Sequence, residues 1–195
     1  MASWGGEANA LMAVLMGVSL AACAGLRAFL PLLAVGVAAR WGWWPVQPWL
    51  QWIGSNEALI TFGVASILEI AADKVPVLDH ALDTFHTVAR PIAGALAAMG
   101  AAYQVNPVFA LALGIIVGAP LAGSFHVTKA STRVASTTLT AGTANPVLSV
   151  AEDFAAVFGV ILAIVAPVLA FLGVLIVGAL IYRFVRSRRP RQVRE

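Results

Sequence analysis

Long apolar runs recur along almost the whole of this 195-residue chain, and they constrain its fold more than any other feature. Only 11% of the residues are charged and the mean hydropathy is +0.90, whereas about a quarter of the residues in a typical soluble domain are charged. Unpaired backbone groups are costly in hydrocarbon, and the runs do not alternate as the strands of a membrane barrel would. The pattern therefore predicts an all-α integral membrane protein.

Several of the apolar segments are shorter than the roughly twenty residues that a full membrane span needs. The segments lie at about residues 8–24, 26–39, 57–72, 91–104, 107–122 and 153–182. We therefore expect about five to seven membrane helices, some of them short, broken or re-entrant. We interpret residues 1–182 as a single polytopic membrane domain.

Proline and charge make two of these segments irregular. The segment at 26–39 begins with Arg27 and contains Pro31, which predicts a half-helix or a re-entrant element buried in protein. The segment at 153–182 is long enough to span with a tilt or a kink at Pro167 and then to protrude.

The C-terminal tail, residues 183–195, holds six of the twelve basic residues of the chain and one acid. The rest of the chain carries six basic and eight acidic residues. A basic tail could bind RNA, but directly after an apolar helix it is more typical of the cytoplasmic side of a membrane. We predict a cytoplasmic C-terminus and no nucleic-acid partner.

The segment at 41–52, WGWWPVQPWLQW, contains five of the six tryptophans. Tryptophan favours the headgroup level of a bilayer, where one part of the ring meets hydrocarbon and its N–H meets polar groups. We predict a membrane-surface anchor. An aromatic site for a sugar or a cation is the alternative, because such rings also bind those ligands.

Two helix starts and one helix-packing motif are visible in the second half of the chain. Asn106 and Asn145 each precede a proline, and Asn is a favourable cap while proline suits the first helical position. Gly114 and Gly118 form a GxxxG pair, which suits close helix packing and is compatible with a homo-oligomer.

Short sequences recur at offsets close to half of the chain. The residues AGLR at 24–27 are echoed by AGSF at 122–125, and FGV at 62–64 recurs at 158–160. The echo is compatible with an internal duplication, as in many transporters, although short matches arise readily in so alanine- and valine-rich a chain.

Acidic residues are concentrated around Pro76. Glu69 and Asp73 are four residues apart, so a helix places both on one face, and the same spacing relates Asp79 and Asp83. Pro76 removes a backbone donor and disfavours helix at the residue before it, so the helix should break just ahead of it. The pattern predicts two acidic stripes that meet at a broken helix.

A basic stripe follows later in the chain. His126, Lys129 and Arg133 are separated by three and four residues, so they share one face of a helix. Six Ser and Thr residues between positions 131 and 140 add hydroxyl groups. We expect this helix to line protein interior or water rather than lipid.

These patterns give twelve candidate ligand- or ion-binding residues. They are Arg27, Glu69, Asp73, Lys74, Asp79, Asp83, His126, Lys129, Arg133, Asn145, Glu152 and Asp153. Since a charge at the membrane centre costs about 2.5–3.5 kcal/mol even on insertion scales, such residues must be paired or exposed to water. They form either a structural ion-pair network, a binding or permeation site, or an acidic Mg²⁺ site of a membrane enzyme.

We predict a transporter-like or channel-like protein for a small ion or an anionic solute, and we favour this interpretation over an enzyme. The alternatives are a membrane-embedded enzyme or lipid-phosphate handler, and a non-catalytic assembly partner. Three scattered histidines and one cysteine give no zinc signature and no disulfide. The identity of any metal stays open, and no cofactor is indicated.

The stretches at 25–42, 52–84 and 122–153 resemble the bacterial membrane-protein family catalogued as domain of unknown function 4126. The similarity covers nearly all of the chain up to the basic tail. The resemblance implies a small, multi-pass protein of the bacterial inner (plasma) membrane. The apolar composition of the chain already makes the lipid bilayer its expected partner. It implies no catalytic or binding residue.

Overall fold

The computed structural model describes residues 3–74 and 76–187. Within these ranges, the side chains of residues 3–6, 76–83, 184, 185 and 187 lie outside the description. The described residues form helices and turns without any strand, so the prediction of an all-α fold is confirmed.

Eight α-helices and two short helical segments of other types follow one another along the described residues. They are α1 (Ser3–Leu26), α2 (Phe29–Arg40), a 3₁₀ helix (Pro48–Gly54), α3 (Asn56–Ala72), α4 (Pro76–Ala101), α5 (Pro107–Ala112), a π-helical segment (Leu113–Gly118), α6 (Ala119–Thr140), α7 (Asn145–Val165) and α8 (Pro167–Ser187).

The first helix lies at the centre of the bundle, where it packs against α2, α4, α6, α7 and α8. Its small side chains allow this many neighbours. Ala21 and Ala24 are fully buried, and Gly17 faces the backbone of Ala98 in α4. A Cβ atom at Gly17 would lie 2.8 Å from the carbonyl oxygen of Ala98, so α1 and α4 pack backbone to backbone.

The GxxxG pair lies in the π-helical segment that precedes α6, where it packs against another helix of the same chain. Gly118 faces Gly94 of α4 so closely that a Cβ atom on Gly118 would lie 2.7 Å from the Gly94 carbonyl oxygen. Gly114 faces Ala95 of α4 at the same distance. The predicted close packing is therefore confirmed, and it joins two helices of one chain.

The outer surface of the bundle is strongly apolar. Leu139 is 84% exposed and Phe154 is 73% exposed. Helix α1, the continuous helix Pro107–Thr140 and helix α7 are long and apolar enough to cross a membrane, and the 3₁₀ helix with α3, bent by 59°, would make a fourth span. These are the features of a membrane protein.

The helix break that was predicted ahead of Pro76 is confirmed, since α3 ends at Ala72 and α4 begins at Pro76. Helix α2 has only 12 residues, about 18 Å at 1.5 Å per residue, so it is too short to cross a bilayer alone. Its proline lies in the first turn, where the missing N–H costs no helical hydrogen bond.

Two predicted segments have different boundaries in the structure. The apolar segment at 107–122 continues without a break through the basic stripe to Thr140. The segment at 153–182 belongs to two helices that are interrupted at Ala166, whose φ of −142° and ψ of 71° leave the helical region ahead of Pro167.

One of the two predicted asparagine caps is confirmed. Asn106 caps α5, because its side chain accepts a hydrogen bond from Val108 N at 2.9 Å. Asn145 is itself the first residue of α7 and makes no capping bond.

Four tryptophans of the segment at 41–52 are exposed, and the fifth is not. Trp44 is buried and stacks on Tyr103 with a centroid distance of 6.3 Å. Exposed tryptophans beside an apolar surface suit the interfacial anchor, which stays a prediction. The internal duplication also stays a prediction.

Candidate binding site in a buried charge cluster

Charged side chains from six parts of the chain meet inside the bundle. This charge cluster consists of Arg27, Glu69, Asp73, Lys74, His86, Arg90, His126, Lys129, Arg133, Glu152 and Asp153. Arg27 and Arg90 are the two largest fully buried side chains among the described residues. Thus the protein has large apolar side chains on its surface and arginines in its interior.

Asp73 is the centre of the cluster, because three cationic groups share its Oδ2 atom. Lys129 Nζ lies 2.6 Å from this oxygen and Arg133 Nη2 lies 2.9 Å from it. Arg27 Nη1 donates to the same atom. The Asp73 side chain is 2% exposed, so the interaction is shielded from water.

Glu69 lies one turn before Asp73, and its side chain contacts the start of α2 and two residues of α4. Its Oε1 accepts a hydrogen bond from Ala28 N at 3.1 Å, at the N-terminus of α2, where a negative charge is favourable. The same oxygen lies 3.3 Å from Arg90 Nη2 and 3.6 Å from His86 Nε2. Its other oxygen, Oε2, is buried and accepts no hydrogen bond from the described residues.

The two adjacent acids of α7 complete the pairing. Glu152 Oε2 lies 2.8 Å from Arg133 Nη2 and 3.3 Å from Lys129 Nζ. Asp153 Oδ1 accepts from Arg27 Nε at 2.7 Å, and its Oδ2 lies 2.9 Å from Lys74 Nζ. The Lys74 side chain is 41% exposed, so it marks the edge of the cluster.

Arg90 connects α4 to the basic stripe of α6. Its Nη1 lies 2.6 Å from His126 Nδ1. Because a guanidinium only donates, this contact requires that His126 Nδ1 accepts the hydrogen bond. Arg90 Nε is buried and has no hydrogen-bond partner among the described residues.

Opposite charges are almost balanced among the described side chains of the cluster. The basic members are Arg27, Lys74, Arg90, Lys129 and Arg133, and the acidic members are Glu69, Asp73, Glu152 and Asp153. With both histidines neutral, five cations face four carboxylates. The described part of the cluster therefore carries one excess positive charge.

Local sequence explains how these side chains reach one another. The spacing of three and four residues turns His126, Lys129 and Arg133 inward on one face of α6, and all three are buried. Glu69 lies in the last turn of α3, and Asp73 is the C-cap residue that follows this helix. The two acidic residues can thus reach both the α1–α2 junction and α6.

The structure brings together nine of the twelve residues singled out from the sequence. Asn145 lies apart from them at the start of α7, where its amide donates to Thr137 Oγ1 at 2.9 Å. The side chains of Asp79 and Asp83 lie outside the described residues, and so does most of the basic tail, residues 188–195.

His86 and Arg90 are cluster residues absent from the twelve candidates. A usable signal exists in the sequence: Asp79, Asp83, His86 and Arg90 follow spacings of four, three and four residues, the period of one helix face. When residues 91–104 are treated as a separate apolar segment, Arg90 falls just outside it and is not grouped with the three polar residues that precede it.

Two cavities border the cluster. One of about 530 Å³ lies between α1, α6, α7 and α8 and is lined by Lys129 and Glu152. The other, of about 520 Å³, is lined by α6 and by Thr87 of α4, and His126 borders it. In the part of the chain that the structure describes, no group of three or more His, Cys, Asp or Glu side chains is arranged to hold a metal ion.

Apolar helices around an inward-facing charge cluster define a helical membrane protein with a polar interior. A model of the family described as "Domain of unknown function (DUF4126)" matches residues 14–187, and the chain therefore belongs to this family. The resemblance in the sequence is thus confirmed. No curated protein and no solved structure matches the chain.

Proposed function

We propose that the chain is a transporter-like or channel-like membrane protein whose charge cluster binds a small ion or an anionic solute. The observation that carries the proposal is the convergence of Arg27, Lys129 and Arg133 on one oxygen of Asp73 at a helix break. Ionisable residues inside membrane proteins usually mark ion or substrate pathways.

Asp73 acts as a resident anion in this site. A carboxylate or phosphate oxygen of a solute presents the same acceptor to the three cations, and Arg133 suits such a group because guanidinium donates along two parallel bonds. Asp73 directly follows α3, at the break before α4. A small change in the backbone dihedral angles at the end of a helix produces a large displacement of the side chain. An anion that replaces Asp73 keeps the cations paired, which avoids the cost of a buried unpaired charge.

Glu69 supports the part of the proposal that concerns the binding of a small ion. Its Oε2 atom is buried and accepts no hydrogen bond from the described residues, whereas most buried polar atoms have a partner. A proton or a small cation at this oxygen would satisfy it. Such an ion would lie one helical turn from Asp73, close enough for its charge to affect the binding of the solute.

The proposed setting is the bacterial inner membrane, crossed by about five to seven segments, of which α2 and the bent pair of the 3₁₀ helix and α3 are short or re-entrant. Arg183 and Arg186 are exposed at the end of α8, which supports a cytoplasmic C-terminus by the positive-inside rule. The partners are the bilayer and the solute. A homo-oligomer would need a surface other than the GxxxG pair, which is occupied by α4.

A metal-dependent enzyme is less well supported. The three cations around Asp73 compete with a divalent ion for that carboxylate. A purely structural ion-pair network, with the protein as a membrane assembly partner, is the alternative that experiment must separate from a binding site.

The proposal is tested by thermal unfolding of the purified protein with phosphate, carboxylates, divalent cations and polyprenyl phosphates, followed by exchange of the stabilising solute in proteoliposomes. A ligand at a hundred times its Kd adds about 2.7 kcal/mol to the free energy of unfolding. We expect Arg133→Gln to abolish this stabilisation and the flux. The matched control Arg40→Gln removes an exposed arginine outside the cluster and should keep both.

Early melting of Arg133→Gln, together with no stabilising ligand and no flux for the wild type, would identify the cluster as scaffolding. Product formation that depends on a divalent metal would identify an enzyme.

A further inference from the structure

The cavity beside Lys129 is an elongated groove. Its volume of about 530 Å³ falls within the range of small-molecule sites, about 300–1,000 Å³. Its lining extends along α7 from Leu148 to Leu162, which is about 21 Å at 1.5 Å per residue. Residues of α8 from Ala170 to Ile181 border it as well.

The groove is apolar along most of this length and charged at one place. Ser19, Thr128 and Thr132 also line it, but their hydroxyl groups donate to carbonyl groups of their own helices. Lys129 and Glu152 are the only charged side chains among its lining residues in the described part of the chain. Lys129 is 5% exposed, and its Nζ also contacts Asp73 at 2.6 Å.

We propose that this groove holds the hydrocarbon tail of a long-chain carboxylate, whose head group replaces the Asp73 carboxylate at Lys129. The inference rests on the proposed function and narrows its solute to an anionic amphiphile. Asp73 shows that the cations accept a carboxylate, and the groove continues from Lys129 as an apolar channel that a tail can fill.

The neighbouring acid selects the head group. Glu152 lines the groove beside Lys129, with 3.3 Å between the two side chains. A second negative charge on the ligand would face this carboxylate at short range and be repelled. A singly charged carboxylate therefore fits better than a phosphate monoester.

Two glycines of α8 provide a variant that fills the groove and a matched control. A Cβ atom at Gly173, which lines the groove, meets no atom within 4 Å, so Gly173→Leu can be accommodated without a backbone clash. A Cβ atom at Gly178 also meets nothing within 4 Å, and Gly178 is not among the groove residues. Both substitutions raise helix propensity by the same amount.

The test is equilibrium binding of radiolabelled palmitate to the full chain in phosphatidylcholine nanodiscs, with empty nanodiscs as background. We expect saturable binding that Gly173→Leu weakens at least about tenfold and that Gly178→Leu leaves unchanged. Unlabelled palmitate should compete, and methyl palmitate, which lacks the charge, should not. Acetate, which has no tail, should stabilise the wild type and Gly173→Leu equally against thermal unfolding.

Equal palmitate binding by the two glycine variants would overturn the groove assignment, and so would equal competition by methyl palmitate, which indicates a plain hydrophobic site. In either case, stabilisation by acetate that is lost in Arg133→Gln would leave the proposed function standing. If neither palmitate nor acetate binds the wild type, both the proposed long-chain carboxylate ligand and the proposed anion site are contradicted.

Discussion

Helices α4 and α6, together with the π-helical segment before α6, have two halves that are held together in different ways. In one half, Gly94 and Gly118 bring the backbones into contact without any polar side chain. In the other half, Arg90 and His126 join the same helices through charged and polar groups. The comparison indicates that small residues set a short distance between the helices, whereas the buried members of the charge cluster are stable only with their partners.

The two halves should respond differently to substitution. In the small-residue half, only added volume is harmful. The two helix backbones are already in contact there, so a larger side chain has no space and pushes the helices apart. In the charge cluster, volume matters less than charge, because removal of one partner leaves others buried and unpaired.

Asp73→Asn should have the largest effect, since it leaves three buried cations without their shared carboxylate oxygen. We expect a loss of about 3–5 kcal/mol in the free energy of unfolding, measured by denaturant titration in detergent micelles. The matched variant Glu57→Gln removes an exposed acid from the first turn of the same helix and should be close to wild type. Equal stability of the two variants would show that Asp73 is not a central partner.

Gly118→Leu should have the next largest effect. Its side chain would enter the backbone contact with Gly94, and overpacking of this kind costs about 1–3 kcal/mol. Gly63→Leu is the control, because a Cβ atom at Gly63 meets nothing within 4 Å. If thermal unfolding shows the same midpoint for both variants, the helices do not pack at this distance.

A double-mutant cycle measures whether the cluster acts as a unit. Asp73→Asn and Arg133→Gln share a 2.9 Å contact, so their effects on the free energy of unfolding should deviate from additivity by about 0.5–3 kcal/mol. The same cycle with Gly118→Leu in place of Arg133→Gln should be additive within about 0.5 kcal/mol. Additivity in both cycles would contradict the division into two halves.

Lys74→Ala should have the smallest effect. Lys74 lies at the edge of the cluster and its side chain is 41% exposed, and such pairs contribute about 0–1 kcal/mol. Asp153 retains its contact with Arg27 in this variant. If Lys74→Ala lowers the free energy of unfolding as much as Asp73→Asn does, Lys74 is not exposed to water at the edge of the cluster.

The sequence predicts the local features of this molecule better than the long-range ones. Hydropathy and Pro76 are sufficient for the all-α class and for the break before α4, because both act over a few residues. The inward face of α6 follows from the spacing of Lys129 and Arg133. These predictions need no knowledge of tertiary structure.

The remaining features depend on contacts between distant parts of the chain. Arg27 meets Asp153 across 126 residues, and no periodicity in either segment indicates this pair. Asn145 appears as a polar residue near the basic stripe in sequence, but the turn between α6 and α7 directs it to Thr137. Arg90 was missed because the apolar residues that follow it dominate the hydropathy of its helix.

The most direct measurement is the thermal stability of Asp73→Asn as small anions are added. If the three cations form an exchangeable anion site, formate, acetate or phosphate should restore saturably much of the lost stability. The same concentrations of a weakly coordinating anion should not. Glu69→Gln keeps the three-cation contact with Asp73, so an anion must displace Asp73 there and should stabilise this variant less than Asp73→Asn. Failure of every anion to stabilise Asp73→Asn more than Glu69→Gln would contradict the site and identify the cluster as a fixed structural network.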